Sequence, residues 1–164
     1  MSYPAIYIMG VSGSGKTTIG KILSYKTGYP FYDADDFHSP ENKAKMNAGF
    51  PLTDVDRWPW LDSINNFVVE VIKKHPVILG CSAVKKCYRE RLSKSIEDSC
   101  QWIFLEGDFN TILSRLNKRT GHFMPASLLQ SQFDALEIPQ NATRIDIRNS
   151  PEEIAETILA NLTS

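Results

Sequence analysis

The residues whose types and spacing most plainly define chemistry are Gly10-Val11-Ser12-Gly13-Ser14-Gly15-Lys16-Thr17, a Gly-x-x-x-x-Gly-Lys-Thr run. Glycines in that pattern let the backbone turn its N–H groups inward around phosphate oxygens, and the helix start that follows adds partial positive charge. Lys16 then reaches the outer phosphates of a nucleoside triphosphate and Thr17 holds Mg²⁺. A Gly/Ser-rich turn with a solvated lysine would account for the glycines but not for the Lys-Thr pair directly behind them.

A second chemically able run is Asp33-Ala34-Asp35-Asp36-Phe37-His38. Alternate side chains of an extended segment share a side, so Asp33 and Asp35 are expected to face one way and Asp36 the other. Two carboxylates near a phosphate-binding loop divide two tasks: Asp33 orients Mg²⁺ through its water shell, and Asp35 accepts a proton from an attacking hydroxyl. The other reading of the run is an acidic, solvated turn that caps the next helix. His38 is either a hydrogen-bond donor to a polar substrate or a local structural partner.

Cations recur near these acids. Arg57, in Asp54-Val55-Asp56-Arg57-Trp58-Pro59-Trp60 just ahead of an expected helix, either grips an anion through two parallel hydrogen bonds or pairs with Asp54 or Asp56. Trp58 and Trp60 are expected to pack against the main body. Lys85 and Arg89 stand four apart near a helix start, where the dipole does not help a positive charge; an anionic partner relieves them, unless the face is simply solvated. Arg115 and Arg119 share a helical face ahead of Gly121 and Pro125, the pattern of a hinged flap. Arginines on a closing flap neutralise a transferring phosphoryl group, and closure excludes water.

These side chains need a frame. Apolar runs at residues 5–9, 30–33, 77–82, 101–106 and 144–148 read as strands. A helix-period stretch follows Thr17, and others cover 61–74, 85–96, 108–117, 126–136 and 151–162, the last with Ser150 as N-cap and Pro151 at its first position. Strands alternating with helices imply an α/β architecture with a parallel sheet covered on both faces, whose ligands collect at the carboxyl ends of the strands.

At 164 residues the chain is the size of one domain with mobile flaps. Its net charge of −1, with acids and bases interspersed, gives no general attraction to nucleic acid or an anionic membrane. Three cysteines form neither a metal-ligand pair nor an even disulfide set, so reduced thiols in a cytosolic setting are expected. No basic stretch precedes an apolar run, and no segment approaches the length that crosses a bilayer.

The chain resembles the gluconokinases of the small P-loop type, related in architecture to shikimate and nucleoside monophosphate kinases. The resemblance is carried by the run from Met9 to Thr18, by Asp33 to His38, by Pro51-Leu52-Thr53-Asp54-Val55-Asp56-Arg57, by Cys81-Ser82-Ala83-Val84-Lys85-Lys86, by Arg119-Thr120-Gly121-His122-Phe123-Met124 and by Ser127 to Phe133. It implies a three-layer P-loop kinase fold in a single domain over 1–164, with a five-stranded parallel sheet in order 2-3-1-4-5. A substrate-binding segment over about 36–75 and a mobile LID over about 115–127 belong to the same picture. The implied reaction moves the γ-phosphoryl group of ATP, with Mg²⁺, to the 6-hydroxyl of D-gluconate, in a cytoplasmic homodimer.

Residue by residue, the resemblance implies Gly10 through Thr18 around the triphosphate, with Thr17 and Asp33 at the metal. Lys16, Asp35 and Arg119 stand at the reacting groups, and Arg115 lies on the adenine face opposite Pro151. The sugar acid would meet Asp35, His38, Arg57, Lys85, Arg89, His122 and Gln132. Two departures occur: Ala34 precedes Asp35 where close relatives often carry glycine, and Ser39 separates His38 from Pro40. Neither removes a functional side chain. A kinase for another small anionic acceptor, such as shikimate or a nucleoside monophosphate, is the nearest alternative; a nucleotide-dependent switch is a further one, against which Asp35 and the arginine flap count.

Overall fold

Two runs with no polar face form the centre of the sheet: β1 (Ala5–Met9) and β3 (Val77–Gly80), every residue of which is buried. Strands covered on both faces are written as unbroken apolar runs, the mark of a parallel sheet between helical layers. β2 (Phe31–Asp33), β4 (Cys100–Glu106) and β5 (Thr143–Asp146) complete five parallel strands in order β2-β3-β1-β4-β5, as the resemblance implied. Ile8 faces Gly80 on one side and Ile103 on the other. The computed structural model describes residues 4–119 and 125–162.

The helices are α1 (Lys16–Thr27), α2 (Pro40–Asn47), α3 (Asp54–Val71), α4 (Lys86–Leu92), α5 (Phe109–Lys118), α6 (Ala126–Ala135) and α7 (Pro151–Leu162). From β1 the chain crosses to the β2 edge and thereafter moves only the opposite way along the sheet. Right-handed crossovers therefore put α1 on one face and α3, α4 and α5 on the other. The packing of α7 on α1 and of α3 on α4 follows this division. A crevice opens at the carboxyl end of β1, between helices on opposite faces.

Close approach fixes these layers. In α1, Gly20 lies so near β2 that a Cβ there would sit 2.3 Å from the Phe31 ring. Tyr7 stacks on Trp102 with centroids 4.5 Å apart and donates its hydroxyl to the Leu92 carbonyl at 2.9 Å. Asn65 donates to the carbonyls of Leu92 and Lys94, so the end of α4 is served by side chains of the sheet and of α3.

The elements differ from the sequence expectation in four places. Residues 34–37 form a 3₁₀ turn rather than an extended segment. Helix α2 was not expected; Ser39 caps it, accepting from the Asn42 N–H, and Pro40 opens it. Helix α3 starts at Asp54, not near Leu61, because Thr53 and Asp56 form a reciprocal capping box. Pro59 is accommodated inside it, where the helical partner it cannot serve is the carbonyl of the exposed Val55. Helix α4 is short, with Lys85 as its N-cap and Ser93 as its C-cap. The Ser150 cap of α7 is present, reciprocated by Glu153.

Candidate active site

The loop between β1 and α1 takes its shape from left-handed glycines, Gly13 at φ 82° and Gly15 at φ 103°. A Cβ on Gly13 would also come within 2.6 Å of Leu116, so α5 packs directly on the loop. Val11 and Ser14 are buried, Ser12 and Lys16 half-buried, and Thr17 and Thr18 exposed on the first turn of α1. The Lys16 ammonium folds back over the loop, donating to the carbonyls of Gly10 at 2.8 Å and Val11 at 3.0 Å. Burial lowers its pKa below the ordinary lysine value, against the opposing pull of Cys81, Asp35 and Asp33.

Asp33 caps the turn and also reaches Thr17. One carboxylate oxygen accepts the Asp35 N–H at 2.9 Å and caps the 3₁₀ turn; the other lies 3.5 Å from the Thr17 hydroxyl. Asp33 and Asp35 line one cavity, although the alternation expected of an extended segment is not what brings them there. The Asp35 side chain is open to solvent, yet partial desolvation, then the Asp33 charge, raises its pKa above the usual carboxylate value while Lys16 opposes. Thr17 and Asp33 suit Mg²⁺, which takes hard oxygen donors and binds through one or two carboxylates plus substrate phosphates. Among the described residues no cluster of three or more His, Cys, Asp or Glu offers a metal an all-protein cage.

Two cavities adjoin at this point. The first, about 500 Å³, is lined by the phosphate-binding loop with Asp33, Asp35, Ser82, Leu116, Arg119 and Gln132. The second, about 520 Å³, is lined by His38, Arg57, Trp60, Lys85 and Tyr88, with Met46, Phe50 and Leu128 as an exposed apolar rim. Asp35, Cys81, Ser82 and Gln132 belong to both.

In the second cavity His38 is buried, stacked on Trp60 with centroids 4.1 Å apart, and its Nε2 lies 3.9 Å from Asp35 Oδ1. Burial, then the charges of Arg57 and Lys43, lower its pKa below the ordinary histidine value and so favour the neutral ring. Arg57 donates to the Leu52 carbonyl at 2.8 Å and to the Tyr88 hydroxyl at 3.3 Å, and lies 3.6 Å from Asp54. Lys85 reaches the same Asp54 carboxylate at 3.1 and 3.3 Å, and the Tyr88 hydroxyl donates to it. Arg57 thus has both its cavity position and the local acidic pair. Tyr88 and Asp54 complete this cationic wall; Asp54 was expected only as a pairing partner of Arg57, and Tyr88 was not singled out, since an aromatic three residues beyond Lys85 carries no signal by itself.

Arg89 is not brought to this cavity. Lys85 is an extended N-cap and not a helical residue, so the two do not share a face as expected. The buried Arg89 guanidinium instead donates to the carbonyls of Ala83 at 2.7 Å, Val84 at 3.2 Å and Glu137 at 2.8 Å. Gln132 grips the phosphate-binding loop as well as lining both cavities: it accepts from Ser12 N–H at 2.7 Å and donates to Ser12 Oγ at 3.0 Å. Arg115 donates to the Ile147 carbonyl at 2.6 Å, which sets it beside the segment leading to Pro151. Arg119 is the C-cap of α5. His122 and Gly121, with the middle of the expected LID, lie outside the described residues.

A glycine-shaped phosphate loop at the switch point of a 2-3-1-4-5 parallel sheet, with a cation-walled cavity beside it, defines a P-loop phosphotransferase. The sequence profile of the shikimate kinase family matches residues 12–163. The chain is 42% identical to a probable gluconokinase of Mus musculus over 177 aligned positions, covering 96% of both chains. It is 42% identical to the thermosensitive gluconokinase of Escherichia coli (strain K12), covering 98% of this chain and 90% of that one. The crystal structure of a gluconokinase from Sinorhizobium meliloti 1021 superposes with a TM-score of 0.89 at 42% identity, covering 98% of this chain and 91% of the other. The chain belongs to the gluconokinases, within the shikimate kinase family.

Proposed function

We infer that this protein is an ATP-dependent kinase that phosphorylates D-gluconate on its 6-hydroxyl. The observation that carries the reading is that Asp35 lines both cavities, so a phosphate held in one would meet a hydroxyl held in the other beside it.

The loop amides and Lys16 hold the phosphates in line, and Arg119 offsets the charge that spreads over the moving group. Thr17 and Asp33 would hold Mg²⁺, which when bound neutralises phosphate oxygens. Asp35 accepts the proton of the 6-hydroxyl as that oxygen bonds to the γ-phosphorus and the bond from phosphorus to the ADP oxygen breaks; its raised pKa makes it a better proton acceptor. Arg57 and Lys85 hold the sugar-acid carboxylate, with His38 and Gln132 on the hydroxyls and His122 as a further contact. Arg115 and Pro151 flank the adenine, and a LID over about 115–127 closes to exclude water. The family resemblance extends the reading to a homodimer, and three free cysteines fit a reducing cytoplasm.

The test is ADP formation measured against a panel of acceptors. Gluconate alone should accelerate it well above the acceptor-free rate; acceleration by shikimate or a nucleoside monophosphate instead, or by nothing, rejects the assignment.

A further inference from the structure

His38 carries one proton on either of two ring nitrogens, and which one decides whether it offers the acceptor a donor or a lone pair. Its surroundings settle the choice. The buried Asn42 of α2 presents its side-chain Nδ2 to two atoms, the Asp56 carbonyl oxygen at 3.0 Å and His38 Nδ1 at 3.4 Å. A carbonyl oxygen only accepts, so the amide nitrogen, not its oxygen, faces this corner. The same amide nitrogen lies within reach of Nδ1, and it can donate there only if Nδ1 bears a lone pair. The opposite tautomer would set two N–H groups against each other and turn the Nε2 lone pair toward the Asp35 carboxylate.

We propose that Asn42 is a positioning residue that holds His38 in its Nε2–H form, aiming that proton at an acceptor hydroxyl beside Asp35. The 3.9 Å between Nε2 and Asp35 Oδ1 is a gap that one hydroxyl oxygen bridges. A hydroxyl there accepts from Nε2–H and can give its own proton only to Asp35, so its direction is fixed before transfer. Trp60, anchored through its indole N–H on the Ala34 carbonyl at 2.8 Å, supports the ring plane. Burial favours the neutral imidazole, the form that carries its proton on a single nitrogen. The role of the hydroxyl rests on the gluconate kinase reading; the tautomer does not.

The experiment reads ¹⁵N imidazole shifts of the whole protein without ligand, the His38 signals being assigned among the three histidines by their loss in His38→Gln. The wild type should show a protonated Nε2 and a bare Nδ1. In Asn42→Asp the new carboxylate should draw the proton to Nδ1, and kcat with gluconate should fall roughly ten- to a hundredfold while KM for ATP holds. A wild-type ring protonated on Nδ1 overturns the proposal even if the variant does not fold; so does an Asn42→Asp ring that keeps its Nε2 proton. Because the shifts are read without a sugar acid, failure of the tautomer and failure of gluconate as substrate are distinguishable.

Discussion

Asp35 reaches the meeting of two cavities because Asp33 caps the turn that carries it, accepting the Asp35 N–H at 2.9 Å. Asp35→Asn keeps that backbone bond and the side-chain shape but removes the proposed proton acceptor. Turnover should therefore fall on the order of a hundredfold or more, with nucleotide affinity nearly unchanged by calorimetry; equal turnover would remove Asp35 from the reaction. Lys85→Met should act differently, raising KM for gluconate by roughly tenfold or more, the worth of a hydrogen bond to a charged group, with KM for ATP untouched in steady-state kinetics. At this scale the sequence was informative where chemistry is local: the phosphate loop is contiguous, and its spacing is its function. It misled at Arg89, because a four-residue spacing implies a shared face only if the helix has already begun at Lys85, and it begins one residue later. It was silent on Asn42, whose partners come from Asp56 and His38 through a helix with no apolar stripe to announce it.

Elements carry the site through their ends. Helix α2 opens with Ser39-Pro40, the same cap-and-proline pair that marked α7 at Ser150-Pro151, but its polar composition hid it in the sequence. The start of α3 was masked by Pro59, which argues against a helix until the Thr53–Asp56 box is recognised. That box has a measurable signature. Lys45, then the Thr53 N–H, hold the Asp56 carboxyl down to about 2. A depressed folded pKa adds stability above the unfolded carboxylate value and loses it as pH falls through the folded one. The urea midpoint should therefore drop between about pH 4 and pH 2, and Asp56→Asn should flatten that part of the profile. Gly20→Ala tests the packing of α1 on β2. In an open helix the change would stabilise by up to about 1 kcal/mol. Here the methyl meets the Phe31 ring at 2.3 Å, so thermal unfolding should show a loss of about 1–3 kcal/mol.

For the whole molecule, one reversal of direction in the sheet does most of the positioning. Because the chain leaves β1 one way and returns the other, the phosphate loop, the β2 acids and the Ser82 segment converge at one end. Alternating strand and helix patterns gave the layered parallel sheet from sequence, but periodicity contains no strand order; that came from the family resemblance. What no local pattern encodes is the arrival of the distant Lys85 on the Asp54 carboxylate that Arg57 also faces, since that neighbourhood exists only once α3 and α4 pack. On the proposed function a nucleotide and a sugar acid would meet at Asp35. A crystal structure with gluconate and a non-hydrolysable ATP analogue measures this directly. The 6-hydroxyl oxygen should be hydrogen-bonded to Asp35 and about 3–3.5 Å from the γ-phosphorus, with the carboxylate on Arg57 and Lys85. Gluconate bound away from Asp35, or with its 6-hydroxyl turned from the phosphate loop, would contradict it.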